Sequence, residues 1–422
     1  MRPSILTLAL ASLLNRKVSA VLTLLAIALS VSLFLGVEKA RTAAKAGFNN
    51  TISGTDLIIG APAGQINLLL YSVFRLGNAT AEIPWPAYQD LRARPDLAWT
   101  VPISLGDSHR GYRVLGTNHA YFEHYKYGLN QPLRFAQGVQ FEDLFDVVLG
   151  AEVATELGYD LDHKLILTHG LGARGLTDHD NRPFRVVGIL APTGTPVDRT
   201  LHISLEGITA IHVGWETGTK NPLADTLTED TIRSFNLTPK TVTAVFAGLQ
   251  NRASVLRTRR AINTNRSTPL QAIIPGQALA ELWQVMSAAE RLLIAISIFV
   301  IAVGLVSILT SLLTSLNERR REMSILRATG ARPWHIFVLM VIESTLLGFL
   351  GALGGIVLIQ LILVALGPYL TAEYGIALTG LGPGWVDLTT LGIVTVSAAL
   401  LGIWPALTAL RRSLADGLSV KI

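Results

Sequence analysis

The densest and most regularly spaced charges in this sequence lie between Asn317 and Arg332, NERRREMSILRATGAR. Glu318 and Glu322 stand four residues apart, Met323 and Leu326 three, and Met323 and Arg327 four, the intervals that group side chains along a helix. Gly330 supplies a natural stop, because glycine takes the left-handed backbone of a helix end at no steric cost. With Arg319 and Arg320 adding positive charge, such a segment lies along a membrane surface and offers a docking face, not a reaction centre. A basic loop whose side chains snorkel towards the head groups has the same composition, so spacing alone leaves both readings open.

Glu343 is the one charge in otherwise apolar sequence after His335, and a carboxylate inside a membrane is a candidate functional group by default. The uncharged stretch Ser344 to Leu366 can span without it. That puts Glu343 near the inner interface, within reach of Arg327 or Arg332, as half of a structural ion pair in preference to a proton relay. Gly348, Gly351, Ala352 and Gly355 give two overlapping pairs of small residues four apart, which let helix backbones approach closely. Packing within one subunit and a seam between two copies both fit that pattern.

Other residues with chemical potential lack the context they need. Gly170, Gly172 and Gly175 form G-x-G-x-x-G, but LTDHDNRPFRVVGIL follows as turn and strand, with no helix to receive a pyrophosphate. His163, His169 and His179 with Asp178 and Asp180 have metal-binding identities without a metal-binding spacing. Neither a nucleophile elbow nor a paired-carboxylate pattern is present, and the absence of cysteine excludes a thiolate nucleophile. The sequence therefore points away from an enzyme, with no metal or cofactor held on this chain.

The elements that must position these residues belong to a membrane. Half of the residues are apolar, only 15% are charged, and the mean hydropathy is +0.43, too little polar surface for an ordinary soluble globule. Val18–Val37 runs without a charge for the length of one hydrocarbon core. Glu38-Lys39 stands where a signal peptide would carry small residues, so an uncleaved anchor is expected. Ile5 to Leu14 ahead of it suits a helix lying in the interface. Residues 291–316, 336–366 and 388–410 contain three further spans, and 411–422 form a tail.

Apart from Arg291 at the domain's edge, the basic residues outside residues 38–290 sort by position: Arg2, Arg16 and Lys17, then Arg319, Arg320, Arg321, Arg327 and Arg332, then Arg411, Arg412 and Lys421. The loop 367–387 has none. Under the positive-inside rule both termini and the loop 317–335 are cytoplasmic, and residues 38–290 form a large outer domain. The net charge of +5 is thus a topology signal and no argument for nucleic acid. Strand-like runs at Leu165–Thr168, Phe184–Leu190 and Thr241–Phe246 alternate with helical patterns at Gly150–Leu157 and Gly276–Ala289. The expected fold is four transmembrane helices plus an α+β extracytoplasmic domain inserted between the first and second.

The segment NERRREMSILRATGARPWHI resembles the loop between the second and third helices of FtsX-like and MacB-like ABC permeases. Further likeness lies in LLNRKVSAVLTLLAIALSVSLFLGV, DLIIG at Asp56–Gly60, LGAEVATELG at Leu149–Gly158, FRVVGIL at Phe184–Leu190, IESTLLGFLGALGG at Ile342–Gly355 and the C-terminal PALTALRRSLADGLS. The order of the segments and the matching topology extend the resemblance over nearly the whole chain.

The resemblance implies that Glu318, Arg319, Arg320, Glu322, Met323, Leu326, Arg327 and Gly330 belong to a coupling helix seated in a cleft of a cytoplasmic ATPase. Met323 and Leu326 would fill an apolar notch while the charges fix orientation at its rim. No G-x-x-x-x-G-K-[ST] loop occurs here, so ATP and Mg would bind a separate polypeptide. The resemblance further implies the bacterial inner (cytoplasmic) membrane, a second permease copy or paralogue, and a possible periplasmic adaptor or hydrolase. Two functions follow from it: export or extraction of a substrate, or mechanical switching of a periplasmic partner such as a cell-wall hydrolase without transport. A membrane-anchored sensor lacking an ATPase fits the coupling-helix pattern less well.

Overall fold

The computed structural model describes residues 5–169, 182–214, 228–318, 328, 331–374 and 382–411. Five helices organise the apolar sequence: α1 (Ile5–Asn15), α2 (Lys17–Asn50), α3 (Pro275–Glu318), α4 (Pro333–Tyr374) and α5 (Trp385–Arg411). The last four are long and apolar enough to cross a membrane. Their bounds run beyond the apolar cores that hydropathy marks. α2 continues to Asn50 and α3 begins at Pro275, so both extend well past the apolar stretch on the side of the inserted domain.

α4 departs from expectation at its far end. The sequence reading ends the third uncharged span at Leu366, whereas the helix continues through Gly367 and Pro368 to Tyr374. α5 likewise contains Pro405. Long membrane helices tolerate glycine and proline because neighbouring groups satisfy the freed backbone.

The chain divides into two compact units, one of Met1–Ala44, Ser287–Thr371 and Ala377–Ile422, the other of Lys45–Met286 with Ala372–Ile376. In the first, Ile27, Val31, Leu35, Ile308, Ala352, Ile356, Val394 and Ala398 form one buried cluster to which α2, α3, α4 and α5 all contribute. The share of each span that is buried differs: 44% of the α2 window against 17% for α3.

The second unit is built on a mixed sheet. Its main strands are β1 (Leu57–Gly60), β2 (Leu97–His109), β3 (Tyr112–Thr117), β4 (Phe135–Gly138), β5 (Asp146–Leu149), β6 (Phe184–Leu190), β7 (Thr200–Ser204), β8 (Ala244–Leu249) and β9 (Gln271–Ile273). The order across the sheet is β9-β1-β8-β2-β3-β7-β5-β6-β4, with two short strands, Lys164–Leu165 and Thr168–His169, pairing off this path. β3 with β7 and β5 with β6 are parallel pairs, and the remaining neighbours are antiparallel. β1, β5 and β8 are buried along their whole length, as strands covered on both faces must be. The strand expected over Thr241–Phe246 is observed as Thr241–Val242 plus β8, and the helix expected from Gly150 is Ala151–Leu157.

The ends of α2 and α3 that lie beyond the apolar spans are rooted in this unit's core. Phe48 packs on Phe74 with ring centroids 4.4 Å apart and meets Trp283 edge-on at 5.6 Å, while the Lys45 ammonium lies 5.9 Å from the Trp283 ring centre. The aromatic contacts add directional packing to plain area burial.

Candidate functional site

The helix ends that bracket the expected coupling segment are in place. α3 ends at Glu318, Ala328 is helical, and α4 starts at Pro333, a residue suited to the first helical position because its missing N–H has no intrahelical partner there. The Arg332 backbone N–H donates to His335 Nδ1 at 3.1 Å, so the third helical residue reaches back to the cap as in a capping box. Trp334 stacks on Phe337 at 5.1 Å and remains 64% exposed, the amphipathic placement typical of a membrane interface. Arg319, Arg320, Glu322, Met323, Leu326, Arg327 and Gly330 lie outside the described residues, as do Gly170, Gly172, Gly175, Asp178, His179 and Asp180.

Glu343 is buried to 3% exposure within the first unit. Ser12 Oγ, on α1, donates to its Oε1 at 3.4 Å. Glu343 also lines a cavity of about 120 Å³ together with Arg16, Ser19, Ser311 and Thr314. The sequence reading set Glu343 against Arg327 or Arg332. Of these Arg327 is outside the described residues, and one partner of the carboxylate, Ser12, comes from the N-terminal helix. Four helices thus converge on one acidic group one turn beyond Met340, close in sequence to the coupling segment.

The small residues of α4 are spent within the chain. A Cβ added at Gly348 would fall 2.3 Å from Ala398 Cβ on α5. At Gly351 it would meet Ile27 Cβ at 2.7 Å, and at Gly355 the Ala28 carbonyl and Val31 Cβ, both at 2.7 Å, on α2. Ala352 between them is fully buried. α4 is therefore the centre of the bundle, and of the two uses that the spacing allowed, packing inside one subunit is the one observed.

At the other end of the bundle Lys39 on α2 pairs with Asp387 on α5 at 3.0 Å. Asp387 is 1% exposed and also accepts from the Gly384 N–H at 2.6 Å, which caps α5. Arg41 bridges Glu38 and Glu290, joining α2 to α3. Sequence reasoning missed Ser12, Lys39 and Asp387. The one signal for Asp387 was its place three residues after Gly384 at the head of an apolar run; nothing in the sequence named its partner.

Among the described residues no group of three or more histidines, aspartates or glutamates could hold a metal ion. His163 instead stacks on Tyr159 at 4.0 Å, and His109 is held between Tyr159 Oη and the Ile166 carbonyl, its pKa lowered by burial.

Two family models match the chain: a MacB-like periplasmic core domain over residues 20–265 and an FtsX-like permease C-terminal region over residues 294–414. The solved periplasmic region of MacB from Actinobacillus actinomycetemcomitans is similar at 10% identity with a TM-score of 0.33, covering 55% of this chain and 94% of that one. No curated protein matches.

Proposed function

The chain belongs to the FtsX-like permeases that carry a MacB-like periplasmic core domain, and from that premise we propose that it is the membrane subunit of an ABC transporter whose ATPase is a separate chain. ATP and Mg would bind that partner. The chain would act as a paired permease in a bacterial inner membrane, with both termini and the 317–335 loop on the cytoplasmic side. Its task would be the export or extraction of a substrate.

One observation carries this reading beyond the family. α2 and α3 are single helices whose outer ends are rooted in the core of the inserted domain through Phe48 and Trp283, and α3 ends directly at the proposed coupling segment. A push on Met323 and Leu326 would travel along a rigid element, since a helix bends only at identifiable breaks. The low burial of α3 leaves much of its apolar surface open to lipid or to a second copy.

The test is affinity co-purification from detergent-solubilised membranes, comparing wild type with Leu326→Asp plus Arg327→Glu. An ATPase that accompanies the wild type and is lost from the variant supports the reading, and retained periplasmic proteins identify what the outer domain handles. Wild-type chain that brings down no ATPase in several mild detergents overturns it.

A further inference from the structure

The outer unit contains a cavity of about 630 Å³, within the range of small-ligand sites. It lies at the carboxyl ends of β3 and β7, which are adjacent and parallel, with Ser204 in register with Thr117. Thr117 and Ser204 both line it. The crevice beyond the carboxyl ends of parallel strands is the recurrent ligand position in open α/β sheets, since each strand there turns away and leaves a gap.

The lining has a one-sided chemistry. Glu142 and Glu206 face the cavity, and neither carboxylate has a partner among the described residues. Asn118, also in the lining, holds its side-chain oxygen without a hydrogen-bond partner among the described residues. The one arginine of the lining, Arg233, is already committed: it forks onto Asp143 through two contacts of 2.6 Å and reaches Glu229 at 2.6 Å. His119 spends Nε2 on the Phe141 carbonyl at 2.8 Å. What is left unmet is acceptors.

Among the described residues no group of three or more His, Asp or Glu could hold a metal ion, and the acceptors here are two carboxylates and one amide oxygen. Acceptors spread around a wide cavity suit a cation whose charge is itself spread over several N–H donors. Phe141, Leu144 and Leu237 supply an apolar wall for the stem that carries it.

We propose that this cavity binds an organic cation, a guanidinium or primary ammonium on a short apolar stem, held between Glu142, Glu206 and Asn118. Such a group comes either from a free small molecule or from a lysine or arginine side chain of another protein. The site is independent of ATPase coupling.

Isothermal titration of the full-length chain in lipid nanodiscs, with agmatine in one arm and an arginine tripeptide amide in the other, tests this. Saturable binding of either probe is expected, weakening as salt rises because the groups are solvent-exposed. Agmatine alone points to a small-molecule source, and the peptide alone to a protein side chain. Glu142→Gln and Glu206→Gln are each expected to weaken binding by about tenfold, one charge-assisted hydrogen bond apiece. Glu123→Gln, an equal charge change outside the cavity, serves as the control and leaves affinity unchanged. Absence of saturable binding by both probes, or binding indifferent to the Glu142 and Glu206 substitutions, overturns the proposal.

Discussion

Gly351 and Ile27 stand so close that a Cβ on the glycine would lie 2.7 Å from the Ile27 Cβ, nearer than real carbon atoms approach. The same holds for Gly348 against Ala398 at 2.3 Å. Gly351→Val and Gly348→Val are therefore expected to force α4 away from its neighbours, costing about 1–3 kcal/mol each as overpacking does. Gly354→Ala is the control, since its nearest neighbour would be Ala28 Cβ at an ordinary 3.6 Å. Thermal unfolding in detergent should show a clear fall in midpoint for the first two and little change for the third. Equal midpoints for all three would remove the intrachain seam.

That seam also shows what the sequence could and could not tell. The four spans were legible because an uncharged run as long as the hydrocarbon core has few other uses, and the strand Phe184–Leu190 was legible as a short apolar, β-branched run. The small residues of α4 announced close packing but not their partners, because Ile27 and Ala398 lie far off in sequence with no local trace of the contact. The sheet order escaped for the same reason: β7 pairs with β3 across some ninety residues, from Thr200 to Arg113. The coupling segment was recognised by its pattern alone, and most of its residues fall outside those described.

Lys39 and Asp387 form the bundle's outer ion pair, with Asp387 buried and its Oδ1 lacking a hydrogen-bond partner among the described residues. Removing Lys39 alone leaves a buried carboxylate uncompensated, which costs more than removing both charges. Lys39→Met should thus destabilise more than Lys39→Met with Asp387→Leu, with a coupling energy on the order of 0.5–3 kcal/mol in a double-mutant cycle. Additive losses would show that the two residues do not interact.

A half-buried carboxyl and a fully buried imidazole of the outer domain give its stability opposite slopes with pH. The Glu152 carboxyl is pushed up to about 7 by burial, against the pull of Arg199, from an ordinary 4.5. Between those values the folded state keeps a proton that the unfolded state has released, so this contribution falls as pH rises. The His202 imidazole is pushed down to about 3 from 6.5 by burial, with the Arg75 guanidinium adding to the effect. Between about 3 and 6.5 the unfolded state holds the extra proton, so this contribution rises with pH. Glu152→Gln should therefore flatten the decline between pH 4.5 and 7, and His202→Phe should flatten the acid limb. Denaturation of each variant across pH checks both, and an unchanged profile in either removes that residue from the account.

Glu343 separates a structural role from proton transfer. Its Oε1 accepts from Ser12 at 3.4 Å inside a closely packed bundle. A glutamine there still offers that acceptor, whereas a leucine removes it and leaves the surrounding polar groups of the cavity unmet. Burying such groups without partners costs about 1–3 kcal/mol. The unfolding midpoint should therefore order as wild type, then Glu343→Gln, then Glu343→Leu, and the ATPase activity of the co-purified complex should follow the same order. A Glu343→Gln chain as stable as wild type yet inactive would instead mean that the proton on this carboxylate, and not its hydrogen bond to α1, is what the protein uses.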